Sequence, residues 1–106
     1  MIKNGMRPVH PGEILLEEFM KPSYAPRNAN TLAKALEVPA NRITAIIKGQ
    51  RGITGDTAVR LAAFFNTTAE CWMNLQKTYE LRLAEQALPV RVRKHIEQRR
   101  EALATA

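Results

Sequence analysis

Apolar residues recur at three- and four-residue steps from Ile14 onward, while β-branched residues are scattered without sustained two-residue alternation. The first spacing lines one face of a helix and the second would line one face of a strand, so the pattern predicts an all-helical chain. A first helix opens at His10-Pro11-Gly12-Glu13, where Pro11 suits the first helical position and Glu13 can reach back to free amides; Pro22 closes it. Residues 22–30 carry two prolines and several turn formers and read as a loop, with Asn30 as the cap of the next helix. That short helix covers about Thr31 to Leu36 and another about Ala40 to Lys48, with Gly49 as its stop. Thr54 caps a fourth helix through Phe65, and Thr67-Thr68-Ala69-Glu70 has the capping-box pattern for a fifth, the longest, reaching Gln86. Beyond Pro89 the apolar positions at 92, 96 and 103 are sparse between arginines and glutamates, which predicts a marginal helical tail over Val90 to Leu103.

The most informative stretch is Thr31-Leu-Ala-Lys-Ala-Leu-Glu-Val-Pro-Ala-Asn-Arg-Ile-Thr-Ala-Ile-Ile-Lys-Gly49, two short helices joined by about three residues, a spacing that fits a steep helix-turn-helix crossing. Such a crossing needs a small residue at the contact, which Ala33 supplies, and Leu36, Val38, Ile43, Ile46 and Ile47 fill the shared core. The opposite face of the second helix carries Asn41, Arg42, Thr44, Ala45 and Lys48, where a recognition helix meets base edges. Arg42 suits guanine O6 and N7, Asn41 suits adenine, and Thr44 suits a thymine methyl or a phosphate. Thr31 at a helix start, with Gln50 and Arg51 in the loop after the reading helix, is placed to hold phosphates and fix the docking register. A helical hairpin with a merely solvated polar face has the same pattern; the spacing and residue types favour duplex DNA.

On the fifth helix Trp72, Leu75, Tyr79 and Leu83 form an apolar stripe that comes after Phe64 and Phe65. Ordinary core packing accounts for such a stripe, but one small domain has difficulty shielding all of it. A two-fold partner would bury the excess and match two DNA half-sites, so a homodimer through these four residues is expected.

Composition and charge sharpen this picture. At 106 residues, 45% hydrophobic and 25% charged, the chain is expected to fold as one domain over residues 1–86, for DNA binding and dimerisation, with a basic helical tail over residues 87–106. The net charge of +6 divides as 0 over residues 1–26, +4 over 27–60, −1 over 61–86 and +3 over 87–106, which favours a polyanionic partner for the middle segment. Arg91, Arg93, Lys94, Arg99 and Arg100 in the tail either reach DNA or an acidic partner or form a solvated face. A single cysteine, Cys71, excludes an intrachain disulfide; the opening residues lack a signal-type apolar run, and no run approaches the ~20 apolar residues of a membrane helix. A cytoplasmic protein without membrane contact is expected.

The chemistry of catalysis has no foothold in the sequence. His10 and His95 lie far apart with no ligand spacing around them, so no metal site is expected. Glu13, Glu17 and Glu18 sit near a helix start, where carboxylates meet the dipole favourably. There is no phosphate-cradling glycine loop and no nucleophile elbow, and Ser23 is the one serine. Neither an enzyme nor a cofactor is expected.

The ordered combination of His10-Pro-Gly-Glu13, the hairpin, Lys48-Gly-Gln-Arg-Gly-Ile-Thr54 and Glu70-Cys-Trp-Met-Asn-Leu-Gln-Lys-Thr-Tyr-Glu-Leu81 resembles the HigA-type antitoxins, the VapI-like addiction-module antidotes, over roughly residues 6–83. The resemblance implies a lambda-repressor-like helix-turn-helix fold and a bacterial homodimer that represses its own operon and neutralises a HigB-like toxin that cleaves messenger RNA. Three departures stand out. Glu37 occupies the turn position that usually holds glycine, Pro39 replaces the usual Ser or Thr cap, and Ala45 stands where many relatives have a longer polar side chain. Base contacts then shift toward Asn41, Arg42, Thr44 and Lys48. A stand-alone regulator without a toxin, or a toxin-occluding module with weak DNA binding, are the alternative functions.

Overall fold

The computed structural model describes residues 7–22 and 28–105, and among them every regular element is helical. Helix α1 (Pro11–Ile14) passes directly into a π-wound segment (Leu15–Met20), followed by α2 (Ala29–Leu36), α3 (Ala40–Ile47), α4 (Gly55–Phe65), α5 (Ala69–Ala87) and α6 (Val90–Thr105). The all-α class and the helix-turn-helix order are as expected. The π winding is not, and burial gives its reason. Leu15 and Met20 are both wholly buried, yet five residues on an α-helix separate side chains by about 140°. The wider turn, in which the Lys21 amide donates to the Leu16 carbonyl at 3.0 Å, brings both toward the core.

Local chemistry sets the helix starts, in places one or two residues from the expected ones. The His10 Nδ1 accepts the Gly12 amide at 2.9 Å and Pro11 takes the first helical position. Glu13 does not reach back to free amides; its carboxylate pairs with Arg7 at 2.9 Å. Asn28, rather than Asn30, caps α2: its backbone is extended and its Oδ1 accepts the Thr31 amide at 2.8 Å, which leaves Asn30 inside the first turn. Most of the expected loop over 22–30, residues 23–27, lies outside the described residues. At α5 the cap is Thr68, accepting the Cys71 amide at 3.1 Å, because the Thr67 hydroxyl is taken by the Trp72 indole N–H at 2.8 Å.

Three helices end alike. Glu37 (φ 58°), Gly49 (φ 74°) and Asn66 (φ 56°) are left-handed, and in each case the next amide returns to a carbonyl five residues back: Val38 to Ala33 at 3.0 Å, Gln50 to Ala45 at 2.9 Å and Thr67 to Ala62 at 3.0 Å. Asparagine tolerates this conformation and glycine suits it, whereas glutamate has a Cβ that crowds its own carbonyl. The strain at Glu37 that its place in the turn foretells is therefore present. Arg60 offsets part of it by donating to the Leu36 carbonyl at 2.7 Å, a cation at the C-terminal end of α2.

The hairpin packs as its pattern requires. Ala33 is 2% exposed at the α2–α3 contact, with Leu36, Ile43 and Ile46 buried and Val38 and Ile47 half-buried beside them. Helix α1 closes the third side. A methyl group at Gly12 would overlap the Ile46 carbonyl at the end of α3, so the two backbones are in direct contact there. The far side of the core is aromatic, with Trp72 lying 4.8 Å from Phe19 and 6.3 Å from Phe65, ring centre to ring centre.

This packing corrects the expected dimer stripe. Trp72 is 1% exposed within a single chain and has no surface to offer a partner. Leu75 packs partly against the same core and Tyr79 lies edge-on to His10 at 4.8 Å, while Leu83 remains exposed. The stripe faces inward along its first turns because the π segment and α1 supply a wall for it that residue spacing on α5 does not reveal.

Leu88 is extended (φ −75°, ψ 115°), as a residue before proline is expected to be, and ends α5. Helix α6 buries no residue and leaves Val90, Ile96 and Leu103 exposed. The molecule is accordingly drawn out to 60 × 25 × 22 Å, with a radius of gyration of 18.0 Å against about 13 Å for a compact chain of this length. No helix among the described residues is long and apolar enough to cross a membrane.

Two backbone substitutions should move stability in opposite directions in urea unfolding. Gly12→Ala is expected to destabilise by about 3 kcal/mol or more, because the Ile46 carbonyl cannot withdraw without unwinding the end of α3. Glu37→Gly is expected to stabilise by up to about 1 kcal/mol through relief of the left-handed strain.

Candidate nucleic-acid interface

Helix α3 has a buried side formed by Ile43 and Ile46 and an outer side that begins with Asn41, which is exposed, and ends with Lys48, also exposed. Pro39 is its N-cap and makes no side-chain bond to the first turn, where the Arg42 amide donates to the Pro39 carbonyl at 3.1 Å. Gln50 and Arg51 are exposed on the loop after the helix. Asn41, Lys48, Gln50 and Arg51 are therefore the expected contact residues that this face leaves exposed to solvent.

The other expected residues are engaged. Arg42 is half-buried, and its Nη1 donates to Asp56 at 2.7 Å. The Thr44 hydroxyl donates back to the Ala40 carbonyl at 3.1 Å, which leaves its methyl and an oxygen lone pair for any outside contact. Ala45 is half-buried. Thr31 is exposed, but it is the third residue of α2 and its amide is satisfied by Asn28, so only its hydroxyl is available to a phosphate.

Sequence reasoning missed the residues that hold this surface together. Asp56, in the first turn of α4, accepts from Arg42 and also from Arg60 Nε at 3.2 and 3.1 Å. Those two arginines hold its carboxyl below the usual carboxylate range, Arg42 contributing most. Gln76 is 7% exposed and reaches from α5 to the loop, its Oε1 accepting the Ile53 amide at 2.7 Å and its Nε2 donating to Glu80 at 2.7 Å. A Cβ at Gly52 would come within 2.7 Å of that Nε2, so the loop lies directly on the glutamine. From the other side His10 closes on Gly49 while its ring meets Tyr79, and the nearby Arg51 backbone favours the charged imidazole. Because Nδ1 accepts from Gly12, the ring proton belongs on Nε2, which suits a bond to a carbonyl. The three separated sequence motifs thus converge on one loop, and their common task is to fix residues 49–53 behind α3.

A helix-turn-helix family model matches residues 28–70. Virulence-associated protein I of Dichelobacter nodosus is 51% identical over 84 residues, which are 79% of this chain and 76% of that one. An addiction module antidote protein of the HigA family from Coxiella burnetii has 50% identity and a TM-score of 0.73, over 88% of this chain and 95% of that one. The chain belongs to the HigA family. Another solved structure, Pseudomonas aeruginosa antitoxin HigA with higBA promoter, is 46% identical with a TM-score of 0.72, over 76% of this chain and 86% of that chain. His10, Gly49, Gln76 and Tyr79 lie at the clamp on the loop and Gly12 beside it against Ile46, and this HigA-family protein is a helix-turn-helix protein rather than an enzyme.

The clamp has a pH signature. Burial lowers the His10 imidazole below its ordinary 6.5, outweighing the Arg51 backbone and the Glu13 carboxylate, which raise it. The unfolded chain therefore binds the proton more readily than the folded one, and stability falls as pH drops below 6.5. Urea unfolding at about pH 7.5 and about pH 5.5 should show that loss, and His10→Asn, which keeps a capping acceptor but does not titrate there, should lessen it.

Proposed function

We propose that this HigA-family protein is a sequence-specific transcriptional repressor that binds the operator of its own operon as a homodimer and serves as the antitoxin to a HigB-like toxin that cleaves messenger RNA. The observation that carries the DNA-binding part is the outer side of α3 and its loop, where Asn41, Lys48, Gln50 and Arg51 are exposed on a frame held rigid from behind by His10 and Gln76. That the relative from Pseudomonas aeruginosa was solved with promoter DNA supports the DNA-binding part of this reading. In this reading α3 enters the major groove, Asn41 and Arg42 address base edges, Thr44 and Lys48 flank them, Ala45 lets the helix approach, and Thr31, Gln50 and Arg51 hold phosphates.

Residues 1–86 form the DNA-binding and dimerisation unit and the basic segment 87–106 is an appended tail. With Trp72 inside the protomer, the exposed apolar residues of α5 left for a dimer surface are Met73, Leu81 and Leu83. The protein acts in the cytoplasm, where its operator and toxin lie.

A mobility-shift titration with a duplex of the gene's own upstream region and a scrambled duplex, at two salt concentrations, tests the reading. Tight binding confined to the upstream duplex is expected. Arg42→Ala should weaken it by about 1–3 kcal/mol if Arg42 pairs bidentately with a base. Equal, salt-sensitive binding to both duplexes would instead favour a toxin-occluding module. Co-purification with the product of an adjacent toxin-like reading frame tests the antitoxin part.

A further inference from the structure

We propose that Asp56 is a positioning residue for DNA recognition: from the first turn of α4 it holds the Arg42 guanidinium by one nitrogen, so that the rest of the fork is presented pre-aligned to a guanine edge. The inference rests on the DNA-binding reading and adds to it a residue outside the recognition helix.

The geometry is specific. Arg42 Nη1 donates to Asp56 Oδ2 at 2.7 Å, and Nε and Nη2 have no partner among the described residues. Guanine O6 and N7 require two parallel donors from a planar fork, which these leave available. Asp56 is itself secured. Arg60 grips both of its oxygens, and the same guanidinium donates to the Leu36 carbonyl at 2.7 Å and to the Glu37 carbonyl at 3.4 Å. One chain of bonds thus runs from the turn of the helix-turn-helix through Arg60 and Asp56 to Arg42, tying α2, α3 and α4 together. A long arginine side chain ordered before binding does not have to be ordered by the complex.

The sign of the effect separates this role from simple charge. Asp56 is exposed and negative beside a surface meant for phosphates, so electrostatics alone says that neutralising it strengthens binding to any duplex. Positioning says that the same change weakens binding to the correct duplex. Asn at 56 keeps the shape and removes the charge that fixes the guanidinium.

The test uses the full chain and four forms: the parent, Asp56→Asn, Arg42→Ala and the double substitution, each titrated against the upstream and scrambled duplexes and each followed by thermal unfolding. Asp56→Asn is expected to lower the ratio of specific to non-specific affinity about tenfold, with affinity for the scrambled duplex equal or higher. In the Arg42→Ala background it should lower that ratio no further, an outcome a merely structural role would not give, whatever the change in Tm. An unchanged ratio, or the same loss with and without Arg42, overturns the proposal while Arg42→Ala still shows the DNA-binding reading to hold. A parent that does not distinguish the two duplexes overturns both.

Discussion

Helix α1 reaches the C-terminal turn of α3 with backbone against backbone, at a place where no side chain fits. Gly12 makes that approach possible, since any Cβ would overlap the Ile46 carbonyl, and the neighbouring features depend on it. With Gly12 seated there, His10 caps α1 and faces Gly49, Tyr79 and the Arg51 backbone. The end of the reading helix and the start of its loop are thereby held by an element more than thirty residues earlier in the chain. Close packing transmits such a constraint because a core at crystalline density has no slack to absorb a shift.

The second hold on the loop is polar and buried. Gln76 satisfies the Ile53 amide, and Glu80 satisfies the glutamine in turn. No buried side-chain nitrogen or oxygen among the described residues lacks a partner, which is what allows a polar network to stiffen this region. In the proposed reading this rigidity serves recognition: α3, abutted by α1 and followed by a loop pinned from α5, would meet the major groove with its register already set, so that the free energy of contact is not spent on ordering the protein. The tail is built on the opposite plan: α6 buries nothing, and a sixteen-residue helix without a packed face relies on its own marginal propensity.

Charge obeys the same division. The exposed cations Lys48 and Arg51 stand beside α3, while Arg42 and Arg60 are drawn into pairing with Asp56. Pairing with Asp56 therefore neutralises part of the middle segment's charge, and among its described cations Lys48 and Arg51 beside α3 and Lys34 on α2 remain exposed.

Residues 31–49 carry their structure on their face: apolar spacing, a small contact residue at Ala33 and a stop at Gly49 are local properties, and periodicity with capping chemistry is enough to read them. The left-handed turn at Glu37 was legible only through the family resemblance, which implies a glycine at that position. Exact caps were less so, because Asn28 and Asn30, or Thr67 and Thr68, are chemically equivalent, and a distant demand such as the Trp72 indole decides between them. The π segment, the inward turn of Trp72, the clamp of His10 and Gln76 on one loop, and the capture of Arg42 by Asp56 were decided only by tertiary structure. Each joins residues from separate elements, and spacing along one helix says which side chains share a face but not what that face will meet.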